Sequence, residues 1–364
     1  MKKIKIYLQY PWKYPDSPYY KYLVKDCPNN IEYLSRKKQS GAITNKKKFW
    51  FSNILKKNIR KFTTLFNLDI PNAHLSPKGD YDLIHCCHCL SKNLNKPWVA
   101  DIEMIGSMAI SGIRSENGRN EVKKILMRTN CKKIMPWTEV LEKKFLELFP
   151  EVKDKVEVVY PAVPVVKNLK RGEHKNLRII FIARYFDIKG GHIALEVLER
   201  LRKKYGTEGI VVADIPTELK YKYPELKTYD LMPQKKLFEL MKKSDMFLYP
   251  ASFDTFGFAL IEAMSFGLIP LTICTPNSIS RREIIDNERT GLIINLEKNL
   301  SSKGIGDFEE KFISDFVEKI GSLITNKNLR KKISRNCLKE IQSGKFSIKQ
   351  RNEKLKRIYE EAVK

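Results

Sequence analysis

The chain has 364 residues, more than one hydrophobic core usually fills, so two domains are expected. Its 42% hydrophobic content excludes a disordered protein, and it contains no run of about eighteen apolar residues that would span a membrane. Seven cysteines without a secretion signal indicate reduced thiols, and we expect a cytoplasmic protein. The 68 Lys and Arg residues outnumber the 42 Asp and Glu residues, and the net charge of +26 predicts attraction to polyanions unless it only solvates the surface.

Apolar, strand-like runs alternate with segments of helical period along the first half of the chain. The runs are residues 4–8, 81–87, 98–101, 133–135 and 156–160. This alternation is typical of a parallel sheet with helical crossovers. We therefore predict a first Rossmann-like domain over residues 1–165, which ends at a proline-containing stretch and a polar linker.

A basic segment, residues 36–68, lies between the first two runs and contains ten Lys and Arg residues but no Asp or Glu. Apolar residues interleave these bases at partly helical spacing, as in helices that rest on anionic lipid headgroups. Alternatively, the apolar residues pack on the first sheet and the bases are solvated. The predicted membrane-contact residues are Lys46, Lys47, Lys48, Trp50, Lys56, Lys57, Arg60 and Lys61. The charge also suits nucleic acid, but no recognised nucleic-acid-binding motif supports that partner.

Cysteine and histidine cluster after the second strand-like run, at residues 85–89. Ligands as close together as Cys86, Cys87 and Cys89 cannot easily surround one tetrahedral zinc ion, and no second cluster accompanies them. We therefore assign no metal. His85 and His88 either contact a ligand or are structural histidines.

The strand-like series restarts in the second half with residues 177–183, 209–213, 246–249 and 269–272. We predict a second Rossmann-like domain over residues 166–345 and an amphipathic closing helix over residues 346–364. The predicted fold class is thus α/β, with two doubly wound domains. Open sheets of this kind bind ligands at the carboxyl ends of their strands, so we expect the active site in a cleft between the domains.

A basic loop with two glycines follows the first strand of the second series. Arg184 and Lys189 precede Gly190 and Gly191, where a helical pattern begins. Glycine lets the backbone approach a ligand, and the amides of a helix start together with the two bases attract an anion. From spacing alone, a solvated basic loop remains the alternative.

Two acids flank a later junction between strand and helix. Asp254 follows a buried-strand pattern, and Glu262 lies on an otherwise apolar helical segment after Gly257. A carboxylate in such surroundings needs polar partners, and sugar or ribose hydroxyls would provide them. Otherwise Asp254 caps the helix and Glu262 pairs with a base.

Along the chain these features follow in the order Arg184, Lys189-Gly190, Asp254, Phe256-Gly257 and Glu262-Ala263-Met264. In this order and spacing they resemble the retaining glycosyltransferases with two Rossmann domains (the GT-B fold), specifically family 4, the glycosyl transferases group 1. The resemblance is strongest over residues 177–295.

The resemblance implies a function and a role for each matched residue. The implied reaction moves a hexose from a nucleotide-diphosphate sugar to a hydroxyl of a lipid-linked or glycan acceptor. It retains anomeric configuration and needs neither metal nor another cofactor. Arg184 and Lys189 would hold the donor diphosphate, Asp254 the sugar hydroxyls and Glu262 the ribose. The backbone of Gly257, Phe258 and Ala259 would contact the phosphates and the sugar.

Three features depart from the family's pattern. Asp254 stands where most members have Glu, and the loop over residues 10–18 is rich in proline where members usually have glycine. Glu103 follows the strand after which many members carry His, so we treat Glu103 as a candidate catalytic residue that contacts donor or acceptor.

Two hypotheses follow from the sequence. The first is a glycosyltransferase in the cytoplasm, peripheral on the inner face of the membrane if the basic segment contacts lipid. The second is a non-catalytic protein that binds polyanions with a degenerate glycosyltransferase fold.

Overall fold

A computed structural model of the chain describes residues 3–10, 18–34, 54, 58, 61, 70–110, 112, 113, 115–166, 175–301 and 305–364. The chain divides into two units: Met1–Ala162 together with Ile348–Lys364, and Val163–Ser347. Each unit is built on a parallel β-sheet with helical connections. This architecture confirms the predicted α/β fold class.

The sheet of the first unit has five parallel strands within the described residues. They are β1 (Ile4–Gln9), β2 (Ile31–Leu34), β4 (Leu83–Cys87), β6 (Trp98–Ile102) and β7 (Cys131–Pro136). Their order is β2-β1-β4-β6-β7, so the direction of winding reverses between β1 and β4. Two short strands, β3 (Ala73–His74) and β5 (Leu90–Ser91), pair with each other.

The sheet of the second unit lies within the continuously described stretch 175–301 and has six parallel strands. They are β8 (Arg178–Ala183), β9 (Glu208–Ala213), β10 (Lys227–Tyr229), β11 (Met246–Tyr249), β12 (Ile269–Cys274) and β13 (Leu292–Asn295). Their order, β10-β9-β8-β11-β12-β13, is the 3-2-1-4-5-6 order of a Rossmann sheet. Winding reverses between β8 and β11, and ligands of open α/β sheets bind at such a switch point.

Helices connect the strands of both units. The first unit contains α1 (Pro18–Lys25), α2 (Glu116–Leu126) and α3 (Glu139–Leu148), with 3₁₀ helices at Ile105–Met108 and Pro150–Lys155. The second contains α4 (Gly191–Tyr205), α5 (Thr217–Lys222), α6 (Gln234–Lys242), α7 (Phe258–Ser265), α8 (Arg281–Ile284), α9 (Asp307–Thr325) and α10 (Lys327–Gln342). The last helix, α11 (Ile348–Ala362), belongs to the first unit.

The cores lie between these helices and the central strands. Every residue of β4, β6, β11 and β12 is buried, as expected for parallel strands covered on both faces. Helix α4 buries one apolar face, which includes Ile193, Val197 and Leu201, and ends at Gly206 with φ of 66°. A left-handed residue of this kind commonly ends a helix, because glycine adopts it without a steric penalty.

Helix α11 is held against the first unit by polar contacts as well as apolar ones. The Tyr359 hydroxyl lies 2.8 Å from His85 Nδ1 and 3.0 Å from the Tyr33 hydroxyl. Arg351 is buried and donates to the carbonyl oxygens of Tyr22 and Asp26. The closing helix of the sequence prediction therefore packs on the unit in which the chain begins.

One predicted strand is absent. Residues 156–160 form a single isolated bridge, between Val156 and Ile134, and otherwise run without a ladder. Val159 donates to the carbonyl oxygen of Pro136, but Pro136 has no N–H to return a bond. Among the described residues, five short strands form without having been predicted: β2, β3, β5, β10 and β13.

Candidate functional site

Two loops meet at the switch point of the second sheet. The first follows β8 and runs from Arg184 to Gly190, and the second follows β11 and runs from Pro250 to Gly257. Since β8 and β11 are neighbouring parallel strands, both loops leave the same edge of the sheet. Four of the predicted site residues, Arg184, Lys189, Asp254 and Gly257, lie on these two loops.

Gly190 is the point at which the two loops touch. Its φ of 73° is in the left-handed region, and a Cβ at this position would overlap the carbonyl oxygen of Pro250. Any other residue here would have to push the second loop away. The glycine that follows Lys189 therefore fixes the approach of one loop to the other.

Lys189 and Asp254 form an ion pair across these loops. Lys189 Nζ lies 3.1 Å from Asp254 Oδ1 and 3.4 Å from the carbonyl oxygen of Phe253. The same ammonium lies 5.5 Å from the centroid of the Tyr249 ring. Lys189, which is predicted to bind the diphosphate, and Asp254, which is predicted to bind the sugar, are thus in direct contact. Both side chains are only partly exposed.

The second carboxylate oxygen of Asp254 faces different partners. The Tyr249 hydroxyl donates to Oδ2, and Arg281 Nη2 lies 3.8 Å from the same atom. The backbone N–H of Thr255 donates to Oδ1 at 2.9 Å. Burial, together with the Asp254 charge, raises the pKa of Tyr249 well above its ordinary value, so the phenol stays a donor to the carboxylate.

Arg281 and Tyr249 are the site residues that the sequence analysis missed. Arg281 is fully buried at the start of α8, after β12, and Tyr249 is the last residue of β11. The adjacent residues Arg281 and Arg282, in a loop rich in serine, were a signal of an anion-facing site. The sequence does not tell which of the two side chains is buried.

The segment Gly257, Phe258, Ala259 forms the entry to α7. Gly257 has φ of 93°, and a Cβ there would lie 3.1 Å from Leu260 and 3.6 Å from Arg281 Nε. The positive end of the helix dipole points towards this entry, which favours an anion there.

Glu262 lies one turn further along α7 and is partly buried. It accepts a hydrogen bond from Gln234 Nε2 of α6 at 3.2 Å. Gln234 therefore provides one of the polar partners that a carboxylate on this apolar helix needs. Arg184 is partly exposed, at the carboxyl end of β8.

The first unit places a second polar cluster at the carboxyl ends of β4 and β6. Asp101 is buried at the end of β6 and accepts hydrogen bonds from the Tyr20 hydroxyl at 2.7 Å and from the His88 backbone N–H at 3.1 Å. His85 Nε2 lies 3.4 Å from Asp101, and His88 Nδ1 lies 3.6 Å from it. Glu103 lies 3.7 Å from His88 Nε2 and is partly exposed.

The charge state of Asp101 follows from these contacts. Burial opposes its ionisation, but the two histidines and the Tyr20 hydroxyl outweigh that effect and lower the pKa of Asp101. Glu103 was predicted as a site residue and Asp101 was not, because Asp101 has the sequence context of an ordinary strand residue. The cysteines nearby are buried, and burial raises the pKa of the Cys86 and Cys87 thiols. In the part of the chain that the structure describes, no three His, Cys, Asp or Glu side chains are grouped to hold a metal ion.

Most of the predicted membrane-contact residues lie outside the described residues: Lys46, Lys47, Lys48, Trp50, Lys56, Lys57 and Arg60. Lys61 is exposed. Among the described helices, none combines the length and the apolar character needed to cross a membrane.

The two doubly wound sheets place the chain in the two-Rossmann class of α/β proteins. Residues 167–340 match the family model of the glycosyl transferases group 1. The carboxy-terminal part of the chain is thus similar to the group 1 glycosyl transferases, in agreement with the resemblance to that group drawn from its motifs. No protein of curated function matches the chain by sequence.

Solved glycosyltransferase structures share the fold over most of the chain. A glycosyltransferase from Rickettsia africae ESF-5 has a TM-score of 0.58 at 15% identity, covering 100% of this chain and 99% of that one. WaaG, a glycosyltransferase involved in lipopolysaccharide biosynthesis, has a TM-score of 0.57 at 16% identity, covering 98% of this chain and 99% of WaaG. TarM of S. aureus has a TM-score of 0.56 at 13% identity, with 76% of this chain matched to 54% of TarM. This chain thus spans about half the length of TarM.

Proposed function

We propose that the protein is a glycosyltransferase that takes a sugar, in our proposal a hexose, from a nucleotide-diphosphate donor. The observation that carries the proposal is the Lys189–Asp254 contact at the switch point of a group 1 glycosyl transferase domain. A TarM structure and a pneumococcal O-GlcNAc transferase structure both contain UDP, which supports a nucleoside diphosphate as the leaving group here.

In the proposed reaction, positive charge stabilises the departing diphosphate. As the bond between the sugar and the phosphate breaks, negative charge grows on the phosphate oxygen, and fixed cations beside that oxygen stabilise the transition state more than the ground state. Lys189 and Arg184 supply these cations, with the entry to α7 at Gly257, Phe258 and Ala259. We propose that no metal is required, because side-chain and backbone groups carry this charge.

The two acids of the second unit would orient the donor. Asp254 contacts hydroxyls of the transferred sugar, and Glu262 contacts the ribose. Glu262 is already oriented by Gln234, so ribose binding adds to an existing hydrogen bond. We propose that the sugar is transferred with retention of anomeric configuration, and that Glu103 of the first unit contacts donor or acceptor.

A donor screen tests this function. The full chain is incubated with a panel of nucleotide-sugars in buffer containing EDTA, and free nucleoside diphosphate is measured. We expect one donor to be consumed, and Glu262→Ala to lower kcat/KM for it roughly tenfold or more, since a hydrogen bond to a charged group is lost. The NMR coupling of the anomeric proton in the product then tests retention.

Glu318→Ala is the matched control, because Glu318 is an exposed acid on α9 of the same unit. It should leave turnover unchanged. If no donor is consumed while the folded protein still binds polyanions in a salt-sensitive manner, the non-catalytic alternative replaces the proposed function.

We further propose that the acceptor is a lipid-linked or other glycan and that residues 36–68 hold the protein on the inner face of an anionic membrane. The ten bases of this segment, without an acid, support the proposal. Replacing Lys46, Lys47 and Lys48 by Gln should reduce co-sedimentation with vesicles that contain anionic lipid. The control replaces three exposed lysines of α10, Lys331, Lys332 and Lys339. An equal reduction of vesicle co-sedimentation in both variants would show that total charge, and not this segment, causes the binding.

A further inference from the structure

We propose that Arg281 is a positioning residue, which keeps the Asp254 carboxylate in place when Lys189 leaves it to bind the donor diphosphate. The inference rests on the proposed function and adds to it a residue outside the motifs on which the resemblance was drawn. It would explain how one lysine can serve two anions in turn.

The contacts of Asp254 are divided between its two oxygens. Oδ1 faces Lys189 at 3.1 Å and the Thr255 N–H at 2.9 Å. Oδ2 accepts from the Tyr249 hydroxyl and faces Arg281 Nη2 at 3.8 Å. The lysine and the arginine therefore face different oxygens of one carboxylate, so Lys189 can leave without displacing Arg281.

Arg281 is fully buried, whereas Lys189 is partly exposed. Arg281 is fully buried, and its Nη1 donates to Thr272 Oγ1 at 2.9 Å and to the carbonyl oxygen of Ile273 at 3.3 Å. Its guanidinium also lies over the Tyr249 ring, 4.8 Å from the centroid. Lys189 sits on a partly exposed, flexible stem, which suits a cation that exchanges partners.

Two donors of Arg281 are unmatched. Nε and Nη2 are buried and donate no hydrogen bond to any of the described residues, and Nη2 faces Asp254. Buried polar groups are nearly always satisfied, so an unmatched pair on a buried guanidinium indicates a partner that arrives or tightens in another state. A small closure from 3.8 Å would let Nη2 donate to Oδ2.

Electrostatic repulsion explains why Asp254 needs a second cation beside it. With Lys189 turned to the diphosphate, Asp254 would otherwise face the phosphate charge with only neutral donors, the Tyr249 hydroxyl and the Thr255 N–H. Arg281 remains beside it and offsets the repulsion between the two anions. Asp254 can then hold the sugar while the diphosphate departs.

The test compares Arg281→Gln, Arg281→Lys and the control Arg282→Gln in the full chain. Arg282 is the exposed neighbour on α8 and contacts Asn295, so its variant should behave as the wild type. We expect Arg281→Gln to lower kcat for the nucleotide-sugar about a hundredfold, while the Kd for the free nucleoside diphosphate rises less than it does in Lys189→Ala, which loses a direct contact. Arg281→Lys should recover part of kcat, because it restores the charge without the planar fork.

A double-mutant cycle with Asp254→Asn separates positioning from folding. If Arg281 acts through Asp254, the double variant should lose no more activity than the more damaging single variant. Independent, multiplying losses would overturn the inference, as would a Kd for nucleoside diphosphate that rises as much in Arg281→Gln as in Lys189→Ala. Should Arg281→Gln not fold, Arg281→Lys decides the matter: wild-type kcat in that variant, with no coupling to Asp254→Asn, contradicts the inference.

The outcomes distinguish this inference from the proposed function. A wild-type protein that neither binds nucleoside diphosphates nor consumes a nucleotide-sugar overturns both. A wild-type protein that does both, with Arg281 variants of unchanged kcat, overturns only the role of Arg281.

Discussion

The carboxylates of Asp254 and Asp101 show how the same side chain is used differently in the two units. Asp254 shares its oxygens between a lysine, an arginine and a tyrosine and is partly exposed. Asp101 is buried among two histidines and Tyr20. Motif spacing was sufficient to select Lys189, Asp254 and Glu262 as candidates. It could not select Asp101 or Arg281, because their environments are made by side chains from distant parts of the sequence.

The lowered pKa of Asp101 predicts a dependence of stability on pH. A carboxylate whose folded pKa is below the unfolded value of about 4 stabilises the fold above that pH, and this contribution is lost as the pH falls through the folded pKa. Asp101→Asn should therefore destabilise the protein by roughly 1–3 kcal/mol at about pH 5, because its buried donors lose a charged acceptor.

Thermal denaturation of both proteins between about pH 5 and about pH 3 measures the effect. The difference in Tm between wild type and Asp101→Asn should shrink as the pH falls. Asp154→Asn, an exposed acid of the same unit, serves as the control. A difference that stays constant or grows on acidification would show that Asp101 is not ionised in the native state.

At the scale of elements, the parallel strands were predictable because each is a short, continuous apolar run. The strand order was not, since it depends on which edges the crossovers reach. Residues 156–160 had the composition of a strand, but Pro136 on the neighbouring β7 lacks the donor that a ladder needs. The strands β2 (Ile-Glu-Tyr-Leu) and β10 (Lys-Thr-Tyr) escaped prediction because neither is a continuous apolar run.

The junction of the loops after β8 and β11 gives a prediction about glycine. Gly190→Ala combines a left-handed backbone with an overlap on the Pro250 carbonyl. It should therefore lower the free energy of unfolding by roughly 1–3 kcal/mol more than the backbone strain alone would. Gly206→Ala is a matched control, because Gly206 has φ of 66° at the end of α4, but a Cβ added there would meet no atom of the described residues within 4 Å.

Chemical or thermal denaturation of the two variants separates the overlap from the strain. Gly190→Ala should have the lower Tm and should also bind nucleoside diphosphate more weakly, since the loop carrying Lys189 is displaced. Equal Tm values for the two variants would mean that the Gly190–Pro250 contact does not hold the loops together.

For the whole molecule, the sequence predicted two doubly wound units, and the structure contains them. It also predicted a closing helix, and that helix packs on the first unit through Tyr359 and Arg351. Packing partners of a terminal helix cannot be read from its amphipathic pattern, which shows only that one face is buried. The net charge of +26 is also a property of the whole molecule. It favours association with anions but does not indicate which anion binds.

The central claim is that the second unit binds the diphosphate of a nucleotide-sugar through Lys189. Calorimetric titration of the full chain with uridine, guanosine, adenosine and thymidine diphosphates measures this directly. We predict that at least one binds to the wild type, that Lys189→Ala weakens it about tenfold or more, and that Lys332→Ala, at an exposed position on α10, leaves it unchanged. Absence of binding by the folded wild type, or equal affinity in wild type and Lys189→Ala, would contradict the account.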